Sequence, residues 1–356
     1  MMVAALMDQL ADESTAISVA RLYALSNLEK SDWAHFEAAW PRLPDDRRRA
    51  VMRHLVDIAE TNFEANFGAV FRLGLTDPDA AVRETAIDGL WEDEDPKLIK
   101  PLLAMLQRDA APSVRAMAAS ALGHYIYLDA IDEIPHAHVE PLNLALRAVI
   151  DAPDEPLEVR RRAVEAISFS SAEDVPDIIR RAYASPEEEM RISAVFAMGS
   201  SADDRWIETV VAELDSPSPA MRFEAAHAAG ELEARSAVPA LARMIEDPDR
   251  EAQEMAIWAL GQVGGERAQM LLTDLTESDD AALAEAALDA LEEMSWMHAG
   301  DRDMPLFVFD PNADEDDERP CCCPSLPTTF CRFCWSLWSG SCWRVICMPT
   351  SRRFLA

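Results

Sequence analysis

Apolar and polar positions recur along the chain with a constant period, most clearly between residues 185 and 278. Three segments there have nearly the same pattern and begin 31 residues apart: SPEEEMRISAVFAMG at Ser185, SPSPAMRFEAAHAAG at Ser216 and DPDREAQEMAIWALG at Asp247. A constant period of this size is typical of stacked supersecondary units rather than of one closed core. The sequence therefore predicts an array of repeats.

The same pattern predicts one amphipathic helix in each of seven units. Position zero of each unit is an apolar residue: Val82, Val114, Val159, Met190, Met221, Ala252 and Leu283. Alanine follows four residues later in all seven units, and small or apolar residues follow at positions seven and eight. These positions share one face of a helix, so their small side chains allow a neighbouring helix to approach closely.

Polar residues, prolines and glycines around these helices predict where each one begins and ends. The residues five before position zero are expected to be N-caps, because their side chains accept from amides of the first turn. They are Asp77, Asp109, Asp154, Ser185, Ser216, Asp247 and Ser278. Proline follows four of them, at the expected first helical position. Glycine at position nine is expected to end a helix in the left-handed conformation. These glycines are Gly123, Gly199, Gly230 and Gly261. A second helix is predicted over 98–106, 175–183, 206–214, 238–245 and 268–275.

Composition agrees with a helical chain, since only 11 of the 356 residues are glycine and only 4 are tyrosine. We predict an all-α fold, a right-handed α-solenoid of stacked helical hairpins with a disordered C-terminal tail. Residues 1–74 are expected to form N-terminal capping hairpins, with helices over 14–25, 31–40, 45–60 and 63–75. Residues 75–299 form the repeat array, and 300–320 an acidic linker. Residues 321–356 form a tail rich in cysteine and tryptophan.

The tail differs in composition from everything before it. It holds all seven cysteines of the chain and no aspartate, glutamate or lysine. Cys331, Cys334, Cys342 and Cys347 resemble a zinc set, but the second pair has the wrong spacing. A membrane hairpin is interrupted by arginines. We prefer the interpretation that residues from about 320 are not selected coding sequence, such as the translation of a shifted frame.

The pattern D-P-x-x-x-V/M-R-x-x-A-x-x-A-L-G resembles the short HEAT-like repeats of phycobilin lyases and of many bacterial HEAT-repeat proteins. The resemblance covers about residues 75–291 and implies a structural role for the arginine after position zero. Here these arginines are Arg83, Arg115, Arg160, Arg191 and Arg222. The recurring acids Asp77, Asp109 and Asp247, with neighbours such as Asp79, Glu187 and Asp249, are their expected partners in an inter-repeat ladder. Gln253 replaces the next arginine, so the ladder is expected to stop near Arg222.

One unit is about 14 residues longer than its neighbours, and the surplus lies at 129–141, DAIDEIPHAHVEP. Insertions on a solenoid often carry function, so His136 and His138 are candidate partner-binding residues. Two histidines and one carboxylate are also a possible metal set, but this spacing is weak support. We predict no metal and no cofactor.

The formal net charge of −33 disfavours general binding to nucleic acid or to anionic membranes. Neither a signal-peptide pattern nor a long apolar run occurs in residues 1–320, so we expect a cytoplasmic protein, and a monomer. Phosphate-binding, nucleophile-elbow and zinc-protease motifs are absent from the sequence. The sequence therefore favours a non-catalytic scaffold that binds a protein or peptide partner.

In HEAT-like arrays the second helices are expected to line the inner surface, which gives the candidate contact residues Lys100, Arg180, Arg181, Glu208, Arg243 and Asp274. With Arg205, the group Arg180 and Arg181 is expected to receive an acidic segment. The alternative function is a bilin lyase or tetrapyrrole chaperone, for which His124, Tyr125, Tyr127 and His136 cluster in sequence.

Overall fold

The computed structural model describes residues 2–62 and 64–298, and all regular structure in this part of the chain is helical. The N-terminal segment contains five helices. They are α1 (Met2–Ala11), α2 (Val19–Leu22), α3 (Lys30–Ala39), α4 (Asp45–Thr61) and α5 (Gly68–Gly74). Helix α4 was predicted, whereas α1 was missed. The helix expected to begin at Ser14 is reduced to α2. Ser14 lies instead in the turn after α1, where its amide donates a hydrogen bond to Asp12 (3.0 Å).

From residue 80 onward, first and second helices alternate. The first helices are α6 (Ala80–Asp88), α8 (Pro112–Ala130), α10 (Leu157–Ile167), α12 (Glu188–Ser200), α14 (Pro219–Glu231), α16 (Arg250–Val263) and α18 (Ala281–His298). The second helices are α7 (Ile99–Arg108), α9 (Glu140–Ile150), α11 (Val175–Tyr183), α13 (Ile207–Glu213), α15 (Val238–Met244) and α17 (Glu266–Leu275). The predicted all-α solenoid of stacked helical pairs is confirmed.

Met1–Ser295 form one compact unit, and the second unit, Trp296–Ala356, lies almost wholly outside the described residues. The predictions for the acidic linker and for the cysteine-rich tail fall there. Among the described helices, none is both long and apolar enough to cross a membrane.

The first helices form the tightly packed layer of the array. Each packs on the next from α6 to α16, and α4 packs on α6 in the same way. Second helices have few close contacts with one another and pack mainly on the first helix of the following unit. The layer with the shorter helix spacing lies on the inner side of such a stack. We therefore assign the inner surface to the first helices, and the expectation that second helices line it was wrong.

Glycines at position nine permit this close packing and do not end the helices. Gly199 lies inside α12, and a Cβ atom there would lie 2.8 Å from the Cα of Ala228 on α14. At Gly123 in α8 the corresponding distance to the Cα of Ala166 is 2.9 Å. The left-handed residues come later, at Ala202, Glu233 and Gly264. The predicted helix-ending role was wrong because the glycines face the next first helix.

The predicted N-caps were wrong by two residues at α6 and α16, where the side chain of the N-cap residue accepts hydrogen bonds from the first turn. Asp79 caps α6 by accepting from the amides of Ala81 and Val82, and Asp249 caps α16 through the amide of Ala252. Asp77, Asp109 and Asp247 instead accept from the amide two residues later, each at 2.9 Å. One carboxylate oxygen closes the turn before the helix, and the carboxylate also accepts hydrogen bonds from an arginine that precedes it in the chain.

Part of the 14-residue surplus lengthens a helix. Helix α8 has 19 residues, whereas the next first helix, α10, has 11. After α8 the chain turns at Asp132, which has a positive φ of 63°, and passes through a short 3₁₀ turn at His136–His138 into α9. The insertion therefore extends one first helix beyond its neighbours and adds a tight connection.

We expect Gly199→Ala to destabilise the protein by about 1–3 kcal/mol, because the added methyl group overlaps the backbone of α14. At an open helical position the same change would stabilise by up to about 1 kcal/mol. Denaturant unfolding measures the sign of the change in the free energy of unfolding. Ser200→Ala, at the adjacent half-buried position, is the control. Stabilisation by Gly199→Ala would show that α12 and α14 are not in close contact there.

Candidate functional site

Arginines after position zero bind aspartates of the next unit. Arg83 donates Nε and Nη2 to the two oxygens of Asp109 (2.8 and 2.7 Å), and Arg222 does the same to Asp247 (2.7 Å for both). Each also donates Nη1 to a backbone carbonyl of its own unit, at Asp77 and Ser216 respectively (2.9 Å for both). These partly buried bidentate contacts fix one unit against the next.

The charged contact is missing where the next unit begins with serine. Arg191 donates only to the carbonyls of Ser185 and Pro186 (3.1 and 3.0 Å). The buried Nε of Arg160 has no hydrogen-bond partner among the described residues. Arg115 binds Glu155 at 2.7 Å. The predicted ladder is therefore interrupted at two of its five arginines.

The ladder also extends beyond its predicted limits. Arg48 on α4 donates Nε to Asp77 (2.9 Å), and Trp40 donates its indole N–H to the same oxygen (2.9 Å). At the other end, Arg250 on α16 binds Asp280 (2.8 Å). The expectation that the ladder stops near Arg222 was wrong, because Arg250 supplies the cation from a different helical position than Gln253.

A stack of three rings lies on the exposed side of the first helices. Phe196 on α12, His227 on α14 and Trp258 on α16 occupy position six of successive units. The Phe196 and His227 ring centroids are 5.7 Å apart at an interplanar angle of 22°, and those of His227 and Trp258 are 5.5 Å apart at 28°. Phe196 and Trp258 are half-buried, whereas His227 is 4% exposed.

The neighbouring helix is shaped to hold this stack. A Cβ atom at Gly230 would lie 2.5 Å from Cζ3 of Trp258, so the indole packs on the bare backbone of α14. His227 Nδ1 contacts Glu224 Oε1 at 2.9 Å, and Nε2 lies 3.8 Å from Glu231 Oε1. Two carboxylates thus flank an imidazole that lies between two aromatic rings.

We define the first-helix face as positions two, three, six and ten, counted from position zero, of the units that contain α10 to α18. From α12 to α18 these positions carry six carboxylates, and His227 is their only basic residue. The six are Glu224, Glu231, Glu254, Glu285, Asp289 and Glu293. On α10 the face also contains Arg161, which binds Glu189 (3.1 Å), and Arg162, which binds Glu165 (3.1 Å).

Burial makes several of these carboxylates hard to ionise. It raises the pKa of Glu165 to about 7, and the charge of Glu224 acts in the same direction although Arg162 opposes it. Burial also raises the pKa values of Glu231 and Glu293, and each is raised further by a neighbouring carboxylate. The charge of Glu231 on α14, two first helices away, raises the pKa of Glu293 on α18. Side chains of alternate first helices therefore converge on the face.

Carboxylates in the turns between units behave in the opposite way. Hydrogen bonds from Arg222 and Arg250 hold the pKa values of Asp247 and Asp280 below the ordinary aspartate value. The array thus contains acids in the turns whose pKa values are lowered by arginine, and buried, crowded acids on the first-helix face whose pKa values are raised.

Sequence comparison agrees with this repeat geometry. A family model described as HEAT repeats matches residues 69–137 and 207–292. The chain contains HEAT repeats in these two segments. No curated protein matches its sequence. The contacts of Arg83 with Asp109 and of Arg222 with Asp247 lie within these segments.

Several solved structures are similar to this HEAT-repeat chain in fold. Human deoxyhypusine hydroxylase in complex with glycerol is 17% identical, with 83% of this chain and 96% of that chain covered and a TM-score of 0.34. The complex of CpcE and CpcF of phycocyanin lyase from Nostoc sp. is 20% identical, with 56% and 78% covered and a TM-score of 0.40. An engineered protein is 19% identical, with 56% and 96% covered and a TM-score of 0.36.

The predicted contact arginines on the second-helix side of the HEAT repeats are exposed, and each has a carboxylate partner. Arg181 contacts Asp151 (3.3 Å), and Arg243 contacts Asp215 (2.8 Å). Arg205 contacts Asp203 (2.5 Å), and Arg180 pairs with Asp177. Exposed pairs of this kind contribute little stability and exchange partners easily. Partner binding by this group stays a prediction.

The insertion histidines are exposed and do not converge. His136 Nδ1 contacts Asp129 Oδ2 at 2.8 Å, and this hydrogen bond raises the pKa of His136. His138 lies at the end of the 3₁₀ turn. Within residues 2–62 and 64–298, no group of three or more His, Cys, Asp or Glu side chains is arranged to hold a metal ion.

The structure separates the residues considered for a tetrapyrrole. His124 and Tyr125 line a small cavity between α7 and α8, with space for about one water molecule. Burial lowers the pKa of His124. The ring of Tyr127 packs on Phe169, with ring centroids 6.0 Å apart, and burial and the charge of Glu231 raise the pKa of Tyr127. His136 is exposed. The cavity is too small for a tetrapyrrole.

The sequence analysis missed the first-helix face because it followed the positions that repeat. The signal was available at position six, where Glu165, Phe196, His227 and Trp258 are large while positions four and seven are small. A large side chain that interrupts a small-residue pattern at one fixed position marks the side of the helix that does not face its neighbours.

Glu293→Gln is expected to stabilise the protein at pH 8, raising Tm by about 1–2 °C, because a buried and repelled charge is removed. The folded-state pKa of Glu293 is raised, so ionisation destabilises the fold as pH rises above the unfolded value. The gain should therefore largely vanish at pH 4, where Glu293 is mostly protonated in both states.

Glu292→Gln is the matched control, because it removes the same charge from an exposed position on α18. Thermal unfolding of wild type and both variants at pH 8 and pH 4 gives the change in Tm for each substitution. An equal gain from Glu292→Gln would show that the effect comes from net charge and not from burial at Glu293.

Proposed function

We propose that the protein is a non-catalytic scaffold and that a protein or peptide partner binds its first-helix face. The observation that carries this proposal is the stack of Phe196, His227 and Trp258. Two half-buried aromatic rings lie beside a buried imidazole on this face. Aromatic side chains held rigidly in this way are typical of the central residues of protein interfaces.

The regular array supports the same proposal. The ladder and the Gly and Ala contacts hold the first helices in fixed register, so the face presents one set of side chains per unit. A surface preorganised in this way loses little conformational entropy when a partner binds. The second-helix arginines are a weaker candidate, because each already has an exposed carboxylate partner.

Charge favours a basic partner. The net charge is −33, and the first-helix face carries an excess of carboxylates. Electrostatic complementarity then speeds association with a basic surface and disfavours nucleic acid and anionic lipid. The acidic partner expected from the second-helix arginines does not suit this face.

The double substitution Phe196→Ala and Trp258→Ala should abolish partner binding, since hot-spot aromatics contribute about 2 kcal/mol or more each. The immobilised full-length protein is incubated with lysate of its source cells, and captured proteins are identified by mass spectrometry. The main candidate is then purified, and its affinity for wild type and variant is measured by calorimetry.

Arg181→Ala with Arg243→Ala is the matched control on the second-helix side, and circular dichroism confirms that both variants fold. We expect the control to bind as wild type does. Equal loss in both variants would reject the first-helix face as the binding surface. Capture no greater than with an unrelated acidic protein would reject the scaffold itself.

A further inference from the structure

One gap in the ladder lies between Arg191 on α12 and Ser216, which precedes α14. In the next unit, Arg222 donates Nε and Nη2 to Asp247, which follows it by 25 residues. Ser216 follows Arg191 by the same number of residues, so it occupies the place of the ladder aspartate. Nη1 of Arg191 donates to two carbonyls of its own unit, as Nη1 of Arg222 does to one. Nε and Nη2 of Arg191 make no hydrogen bond with any described residue, so they lack the carboxylate that completes the ladder elsewhere.

The second gap lies between Arg160 on α10 and Ser185, which precedes α12 and follows the arginine at the same separation. Ser185 forms the same turn as the ladder aspartates, since its Oγ accepts from the amide of Glu187, two residues later (3.4 Å). A hydrogen bond from the Ser185 hydroxyl lowers the pKa of Glu187, and the charge of Arg160 lowers it further. The serine and the guanidinium therefore lie near the same carboxylate. The buried Nε of Arg160 nevertheless has no hydrogen-bond acceptor among the described residues, which is costly.

Both serines lie where a modifying enzyme can reach them. Each is partly exposed, and each lies in the turn between a second helix and the following first helix. The next residue is an exposed proline in both cases, Pro186 or Pro217. Turns of this kind have few packing contacts, so their side chains are accessible without unfolding of the helices.

We propose that Ser185 and Ser216 are phosphorylation sites and that their phosphate groups complete the ladder by binding Arg160 and Arg191. A protein kinase transfers the γ-phosphoryl group of a nucleoside triphosphate to the serine hydroxyl. The bond between serine Oγ and phosphorus forms, and the bond from the γ-phosphorus to the bridging oxygen breaks. Nucleoside diphosphate and the hydroxyl proton leave. This inference does not depend on the proposed partner.

A phosphate group supplies what the two gaps lack. It carries a charge of about −1.5 to −2 at pH 7, and two of its oxygens can accept from one guanidinium, as a carboxylate does. The third oxygen can accept from the amide of the turn, which the Ser185 hydroxyl accepts only at 3.4 Å. Glu187 is exposed and can rotate into solvent when the phosphate takes its place. Phosphorylation thus fixes α10 against α12, and α12 against α14, where the unmodified ladder is interrupted.

Ser278 is a matched control within the same chain. Its Oγ accepts from the amide of Asp280 (3.2 Å), so the serine lies in the same kind of turn. Gln253 replaces the arginine 25 residues earlier, and the nearby Arg250 already binds Asp280 (2.8 Å). A phosphate at Ser278 therefore meets no ladder arginine and only adds charge to an acidic chain.

The full-length protein is produced with genetically encoded phosphoserine at position 185, 216 or 278, and each phosphate is titrated by phosphorus nuclear magnetic resonance. A phosphoserine ordinarily titrates near pH 6. We expect the phosphates at Ser185 and Ser216 to titrate about one pH unit below that at Ser278, because a bound guanidinium stabilises the dianion. Phosphate at either of the first two serines should raise Tm by about 2–4 °C, and phosphate at Ser278 should not.

Arg191→Gln should abolish both effects of phosphate at Ser216 and leave those at Ser185 unchanged. Arg160→Gln should do the converse. The two arginine variants are thus controls for each other, and circular dichroism confirms that both fold. Equal titration of all three phosphates, or shifts that survive removal of the matching arginine, would overturn the inference.

Occurrence of the modification is tested on the protein purified from its source cells in the presence of phosphatase inhibitors. Peptide mapping by mass spectrometry is expected to find phosphate on Ser185 or Ser216, and phosphatase treatment should remove it. Complete coverage of both peptides without phosphate on either serine would overturn the assignment of these residues as phosphorylation sites.

Discussion

Helix α12 approaches α14 so closely that a single methyl group at Gly199 would lie 2.8 Å from the Cα of Ala228. Similar contacts at Gly123 and Gly261 hold the other first helices together. Because backbone lies against backbone, the helices have little freedom to rotate or slide. The arginine contacts in the turns then fix the ends of each unit, as Arg222 and Asp247 do. Every other property of the array depends on this register.

Fixed register divides the polar residues into two populations. In the turns, both oxygens of Asp109 and of Asp247 accept from an arginine, and one of them also accepts from a backbone amide, so these carboxylates are satisfied. On the first-helix face, Glu231 and Glu293 are partly buried and repel each other. The same close packing that stabilises the scaffold thus crowds acids and aromatic rings on one side of it. That side is where a cationic partner would gain most.

The fold could be predicted from the sequence because its signals are local and repeated. Alanine at position four and the turn aspartates appear in unit after unit, and together they indicate stacked helical pairs. The meaning of single residues was harder to predict. Gly199 was interpreted as a helix end because glycine favours left-handed backbone, yet its role depends on Ala228 in the next unit. The ring stack was missed for the same reason, since Phe196, His227 and Trp258 are 31 residues apart and meet only after the helices pack.

The division of carboxylates into two populations is tested most directly by nuclear magnetic resonance titration of the individual side chains. Isotope-labelled protein is titrated with acid, and Glu231, Glu293, Asp247 and Asp280 are assigned by substitution of each. We expect the two glutamates to titrate above 4.5 and the two aspartates below 3.8, the ordinary values for these groups. Glutamates that titrate at or below 4.5 would contradict the burial and mutual repulsion of Glu231 and Glu293 on the first-helix face.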